Sequence, residues 1–106
     1  MTTVTPESRA LAALGHDARL SIFRLLVRAG NAGLNVGQIG THLNVPASTL
    51  AHHLGALVDA GLVRQERLGR EVVNRADFDA IRRIAEFLVA ECCKGVPVLE
   101  SEAAAK

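Results

Sequence analysis

Apolar residues recur at helical spacing along most of this 106-residue chain. The first such stretch, residues 6 to 29, predicts two helices, the second beginning near Asp17 and ending at Gly30. Asn35 stands three residues before Gln38, as in a capping box, and predicts the start of a short third helix. The chain therefore begins as a group of short amphipathic helices.

The helical pattern resumes after a tight turn at Asn44 and Val45. Pro46 fits the first turn of a fourth helix, where its missing N–H is harmless. Apolar residues then recur at i, i+4, i+7 and i+8 from Leu50, until Gly61 ends the helix. We expect this stripe to face the core and the opposite face to be polar.

Alternating spacing replaces helical spacing between Leu62 and Arg75, which predicts a two-stranded hairpin. Helical spacing returns after Asp77, a suitable N-cap, and predicts a last helix of about 18 residues that ends at Gly95. Residues 96 to 106 have no apolar stripe, and we expect them to form a flexible tail.

The composition agrees with one mainly α domain over residues 1 to 95, followed by the tail. Hydrophobic residues make up 49% of the chain, yet it contains three Phe and neither Trp nor Tyr, which favours aliphatic helix packing over a β-sandwich. No apolar run reaches the ~18 residues of a bilayer span and no signal segment is present, so we expect a cytoplasmic protein. A core this small favours a dimer.

Helices, a tight turn, another helix and a hairpin follow in the order of a winged helix-turn-helix, with the motif at residues 36 to 60. Four polar residues lie opposite the apolar stripe of its second helix: Ser48, Thr49, His52 and His53. Small donors and acceptors of this kind suit contacts with base edges or phosphates in a major groove. The alternative is an ordinary solvated helix face.

The hairpin carries four arginines and two glutamates, a local charge of +2 in a chain whose formal net charge is +1. Arg67 and Arg70, near its centre, suit phosphate or minor-groove contacts by a wing. A charged edge also discourages strand aggregation, and the two interpretations are compatible.

Three stretches together resemble the ArsR/SmtB family of bacterial winged-helix repressors: LAALGHDARLSIFRLL, STLAHHLGALVDAGLV and RQERLGREVVNR. The resemblance covers about residues 9 to 94. It implies a homodimer formed by the first and last helices, a fourth helix in the major groove, a hairpin wing, and an inducer that releases DNA. Two such helices would lie about one DNA turn, ~34 Å, apart on an inverted-repeat, double-stranded operator.

Two sensor sites of that family are missing from this sequence. The arsenic-sensing run of the CVC type is matched by Asn-Val-Gly at residues 35 to 37, without a thiol. The zinc-sensing pattern of the last helix needs histidine, and residues 77 to 94 contain none. What remains is Cys92 with Cys93, similar to the vicinal C-terminal pair of some arsenical-responsive members.

Two soft thiolates suit trivalent arsenic or antimony, not zinc. Side chains of consecutive helical residues point ~100° apart, so both sulfurs reach one atom only if the helix end opens, which Gly95 and Pro97 favour. Trivalent arsenic ordinarily accepts three sulfur ligands and this chain has two cysteines. Either a small ligand completes the site or the inducer itself carries a carbon substituent, and on the second alternative we expect methylated arsenite to be preferred over inorganic arsenite. We expect Lys94 to favour thiolate formation.

Two alternatives for the cysteines stay open. Cys92 shares the apolar phase of the last helix and is then a small buried hydrophobe. The pair is otherwise a redox or reactive-sulfur switch.

The motifs typical of enzymes are missing from the sequence. No nucleophile elbow, metalloprotease, P-loop or dinucleotide-binding motif occurs, so we expect no enzyme and no required cofactor. A winged helix that serves as a protein-interaction module would bind DNA weakly and with little salt dependence.

Overall fold

The computed structural model describes residues 4 to 97. They form helices α1 (Pro6–Leu14), α2 (Asp17–Ala29), α3 (Val36–Leu43), α4 (Ala47–Asp59) and α5 (Phe78–Val89), and an antiparallel hairpin of β1 (Val63–Leu68) and β2 (Glu71–Ala76). A 3-10 turn, Gly30–Ala32, follows α2. This order confirms the predicted winged helix-turn-helix. The expected flexible tail falls, from residue 98 onward, outside the described residues.

Residues at the N-termini of α3, α4 and α5 determine where these helices begin. The Asn35 side chain accepts a hydrogen bond from the Gln38 N–H at 2.8 Å, and the Gln38 side chain accepts one from the Asn35 N–H at 2.9 Å, so the predicted capping box is confirmed. Asp77 caps α5 by accepting from the Ala80 N–H at 3.0 Å. Pro46 lies one position earlier than expected, as the N-cap of α4 with extended backbone.

One hydrophobic core lies between the first four helices and the base of the hairpin. Its most buried aliphatic side chains are those of Ile22, Leu26, Ile39, Leu50, Leu54, Leu57 and Leu62. Each such side chain contributes roughly 1.5–3 kcal/mol when fully buried. Three of the seven belong to α4, and their packing determines which face of that helix stays outside.

The hairpin closes through a two-residue turn at Gly69 and Arg70, between the paired residues Leu68 and Glu71. Gly69 has φ +65 and Arg70 does not share the positive φ, as in a type II′ turn, which suits the twist of paired strands. This geometry places Arg70 at the tip of the wing.

The last helix is shorter than predicted, and the expectation that it reaches Gly95 is wrong. α5 ends at Val89, and the backbone then continues in turns, with Cys92 N–H bonded to the Val89 carbonyl at 2.9 Å. Ala80 and Ile84 pack on the core, but the following half of the helix is exposed, with Leu88 61% accessible. Without tertiary packing little holds a further helical turn in place. No helix in the described part of the chain is long and apolar enough to cross a membrane.

Candidate nucleic-acid interface and thiol pair

The outer face of α4 carries three of the four polar residues predicted there. Ser48, Thr49 and His52 are exposed, while Leu50 and Leu54 on the opposite face are buried. Ala51, which lies between Thr49 and His52 along that face, is exposed and has a small side chain, so it does not cover the hydroxyls or the imidazole. The arrangement suits hydrogen bonding to base edges or phosphates.

His53 does not lie on that face, and the expectation that it points outward is wrong. Its side chain is 7% exposed and lies against α2, where its Nδ1 accepts a hydrogen bond from Arg19 Nε at 3.3 Å. Position 53 is three residues after Leu50 and four before Leu57, so helical geometry places it beside the inward stripe. That spacing is the signal in the sequence that identifies His53 as inward-facing.

A cluster of basic side chains surrounds the His53 ring. The ring centroids of His16 and His52 lie 4.8 and 5.5 Å from that of His53. Burial, together with the charges of His16, Arg19 and His52, lowers the pKa of His53 below its ordinary value. These effects favour the neutral form of the imidazole.

The wing arginines divide into two classes. Arg75 is engaged in the fold, bonding Glu66 Oε1 at 2.6 Å and the Asn31 carbonyl at 2.7 Å. Arg64 Nε lies 4.0 Å from Asp77 Oδ2. Among residues 4 to 97, no carboxylate lies within ion-pair distance of Arg67 or Arg70, and both are exposed. The two arginines predicted to contact DNA are thus the pair that the fold leaves available.

An electrostatic feature not used in the sequence-based prediction extends this surface. Residues 18 to 58, which include α3 and all of α2 and α4 except the terminal residues Asp17 and Asp59, contain three arginines and no aspartate or glutamate. This stretch adds no carboxylate of its own to repel a phosphate backbone, although the net charge of the whole chain is close to zero.

Cys92 and Cys93 lie together in the turn after α5, and both are exposed free thiols. Their Sγ atoms are 2.8 Å apart, and Cys93 adopts a left-handed backbone with φ +68. Because the helix has ended before Cys92, the side chains converge without any further opening of α5. Within the protomer Cys92 is exposed, which does not support its interpretation as a small buried hydrophobe.

The chemistry of the pair differs from one expectation. Two effects raise the pKa of Cys92: the hydrogen bond with the Cys93 thiol is the larger, and desolvation is the smaller. The expected thiolate stabilisation by Lys94 is therefore not seen at Cys92. Within the described residues no group of three or more His, Cys, Asp or Glu side chains is placed to hold a metal ion.

Comparison with protein families and sequences places the motif among regulators. A family model described as a helix-turn-helix domain matches residues 14–66. YbzH of Bacillus subtilis strain 168, described as an uncharacterized HTH-type transcriptional regulator, is 31% identical over 91 residues, spanning 74% of this chain and 91% of that protein.

Solved structures with this fold include regulators of the same class. An ArsR-like transcriptional regulator from Rhodococcus sp. RHA1 superposes with a TM-score of 0.72 at 30% identity, covering 80% of this chain and 77% of that one. The homodimeric winged helix-turn-helix DNA-binding domain of a possible ArsR-family regulator from Mycobacterium bovis has a TM-score of 0.66 at 29% identity, covering 80% and 77%.

Proposed function

The chain belongs to the helix-turn-helix domain family and is a transcriptional regulator of the ArsR type, and on this premise we propose that it is a homodimeric repressor released from its operator by a trivalent arsenical. The observation that carries the DNA-binding part is the outward face of α4, where Ser48, Thr49 and His52 are exposed. These side chains read base edges in the major groove.

The wing contributes affinity rather than sequence readout. Arg67 and Arg70 hold phosphates beside the groove that α4 enters, because both are exposed and neither has a carboxylate partner among residues 4 to 97. Each phosphate neutralised by an arginine releases counterions, so binding weakens steeply with salt. A protein-interaction module of the same fold would lack this dependence.

A second copy of the chain covers the apolar end of α5 in this proposal. Phe87, Leu88 and Val89 are each more than half exposed in the protomer, and Leu11 on α1 is partly exposed. Burial of such side chains is worth roughly 25 cal/mol per Å² of apolar surface removed from water. The similar Mycobacterium bovis domain is homodimeric, which supports the same arrangement. Two-fold symmetry then matches an inverted-repeat operator with half-sites ~34 Å apart.

The inducer binds at Cys92 and Cys93, whose sulfurs are exposed and already adjacent at 2.8 Å. With methylarsenite in its dihydroxy form, two As–S bonds form, two As–O bonds break, and the two thiol protons leave in two water molecules. The methyl group occupies the third position, which this chain cannot fill with a third thiol. We therefore expect methylarsenite to act more strongly than arsenite or antimonite.

Release from DNA follows from a shift between two dimer geometries. The turn that contains Cys92 and Cys93 directly follows the apolar end of α5. A bound arsenical therefore changes the end of the helix that the second copy covers. A new dimer geometry alters the separation of the two α4 helices and no longer fits the operator. A hundredfold loss of affinity requires only ~2.7 kcal/mol of coupling.

Oxidation is a second candidate signal, favoured by the same proximity of the two sulfurs. Hydrogen peroxide would remove two electrons and two protons from the thiols, leaving a vicinal disulfide and two water molecules. The strained geometry of a disulfide between neighbours makes this bond readily reducible. Intact-protein mass spectrometry separates the two signals, because oxidation removes two hydrogens whereas methylarsenite replaces the two thiol hydrogens with its CH₃As unit.

The test uses the reduced full chain and a labelled duplex selected by it from a random library. Fluorescence anisotropy would follow DNA release during titration with methylarsenite, arsenite, antimonite and hydrogen peroxide. The proposal expects methylarsenite to release the wild type and to leave the Cys92→Ser/Cys93→Ser variant, which has no thiol, bound. Release of both proteins, or of neither, overturns arsenical sensing at this pair.

A further inference from the structure

Arg19 lies in the first turns of α2, against the flank of α4, and carries a charge that the fold does not neutralise. Its Nε donates to His53 Nδ1 at 3.3 Å, and its side chain is half-buried. Among residues 4 to 97, no carboxylate lies within ion-pair distance of it. An arginine with a neutral partner keeps its full positive charge while its orientation is restricted.

The hydrogen bond from Arg19 determines which tautomer the neutral His53 ring adopts. A guanidinium has five N–H donors and no acceptor, so His53 Nδ1 must accept and the ring proton resides on Nε2. Only one N–H of Arg19 is used by this bond, and the four on its two Nη atoms stay available. Such a planar group suits bidentate binding of a phosphate.

The position of Arg19 relative to α4 indicates which ligand it meets. His53 is four residues after Thr49, so both lie on one side of the helix, and the His53 ring is 5.5 Å from that of exposed His52. Arg19 thus borders the outer face of α4 at one flank. When a helix enters a major groove, the phosphates that line the groove run along its flanks.

We propose that Arg19 binds a DNA phosphate at the edge of the groove that α4 enters, and that His53 is the positioning residue that orients it. The inference rests on the proposed DNA-binding function and adds a contact outside the helix-turn-helix motif. It also gives His53 a role that is compatible with its burial. His53 acts on DNA only through Arg19.

The first experiment measures anisotropy with a selected duplex and with a mixed-sequence duplex at several salt concentrations. Arg19→Gln is expected to weaken binding to both duplexes by about tenfold and to lower the salt slope by ~0.9 for each protomer. Arg82→Gln is the matched control, because Arg82 is an exposed arginine on α5 already paired with Asp79 at 3.0 Å. Its affinity should stay within about twofold of the wild type.

The second experiment tests the positioning role by the choice of acceptor. His53→Asn retains an acceptor near the place of Nδ1 and should keep most of the affinity, whereas His53→Leu should reproduce the loss and the lower slope of Arg19→Gln. The double variant Arg19→Gln/His53→Leu should lose no more than either change alone. If His53→Leu does not fold, Arg19→Gln and His53→Asn decide the question.

The outcomes separate this inference from the function on which it rests. Salt-dependent binding by the wild type with an unchanged slope in Arg19→Gln overturns the inference alone. Equal affinity of His53→Asn and a folded His53→Leu overturns the positioning role. A wild type that binds neither duplex overturns the proposed function.

Discussion

The side-chain amide of Asn74 donates to the backbone carbonyl of Leu34 at 3.1 Å, tying the wing to the segment that leads into α3. Backbone hydrogen bonds between the same two residues, at 2.8 and 3.0 Å, complete the connection. Asn74 is fully buried, and its side-chain oxygen Oδ1 accepts a hydrogen bond from Gln65 Nε2 at 2.8 Å. The wing and the helix-turn-helix are therefore joined through one buried amide that is hydrogen-bonded at both its oxygen and its nitrogen.

Asn74→Leu is expected to lower the free energy of unfolding by about 1–3 kcal/mol, because it leaves polar partners unpaired in a buried place. Urea denaturation followed by circular dichroism measures the change. Asn31→Leu is the control, since Asn31 is exposed and contributes only its backbone carbonyl to the Arg75 bond. Equal stability of the two variants would show that the buried amide is dispensable.

Substitutions at two glycines distinguish the cost of backbone strain from the cost of a steric clash. Gly33 and Gly69 have φ +67 and +65, but a Cβ at Gly33 would lie 2.6 Å from the Asn74 carbonyl oxygen, whereas one at Gly69 meets nothing within 4 Å. Gly69→Ala should cost about 1–2 kcal/mol from its left-handed backbone alone. Gly33→Ala should cost clearly more, because the wing must move away. Thermal unfolding of both variants tests this order, and the reverse order contradicts the packing described.

Stability should fall in mildly acidic solution because of His53. Its pKa is lowered in the folded chain by burial and by His16, Arg19 and His52, so the unfolded chain binds the proton more readily. The contribution of neutral His53 is complete above its ordinary pKa near 6.5 and is lost as the pH falls towards the lower folded value. Urea denaturation between pH 5 and 8 should show this slope in the wild type, reduced in His53→Asn. Parallel profiles would exclude His53 as the group responsible.

Substitutions of the wing arginines should affect either DNA binding or the stability of the fold, depending on the position. Arg67→Gln/Arg70→Gln is expected to weaken DNA binding and lower its salt slope while leaving the unfolding temperature unchanged, because neither side chain has an ion-pair partner among residues 4 to 97. Arg75→Gln should instead lower the unfolding temperature, since Arg75 bonds both Glu66 and Asn31. A double variant that binds as the wild type does would remove the wing from the DNA-binding surface.

Local patterns account for most of the fold prediction. The capping box at Asn35, the apolar stripe of α4 and the glycine turn of the wing each act within a few residues, so the sequence displays them directly. The end of α5 depends on packing instead, and helical spacing does not show at which residue the packing against the core of the protomer stops. The helix therefore ends before the thiols that were expected to belong to it.

On α4, the exposure of the candidate residues was predictable where it follows from helical phase. Ser48, Thr49 and His52 lie opposite the α4 stripe, as expected. His53 lies at the border of the stripe, where a polar residue faces inward only if a partner such as Arg19 is available from another helix. That partner is 34 residues away in the sequence, and periodicity within α4 contains no information about it.

The most direct test of the account is the ratio of affinities for the selected and mixed-sequence duplexes, measured by anisotropy for the wild type and for Thr49→Ala/His52→Ala. If the outer face of α4 reads bases, the double variant should lose about tenfold or more of this ratio and retain its affinity for the mixed-sequence duplex. An unchanged ratio in a folded variant would contradict the assignment of α4 as the helix that recognises the operator.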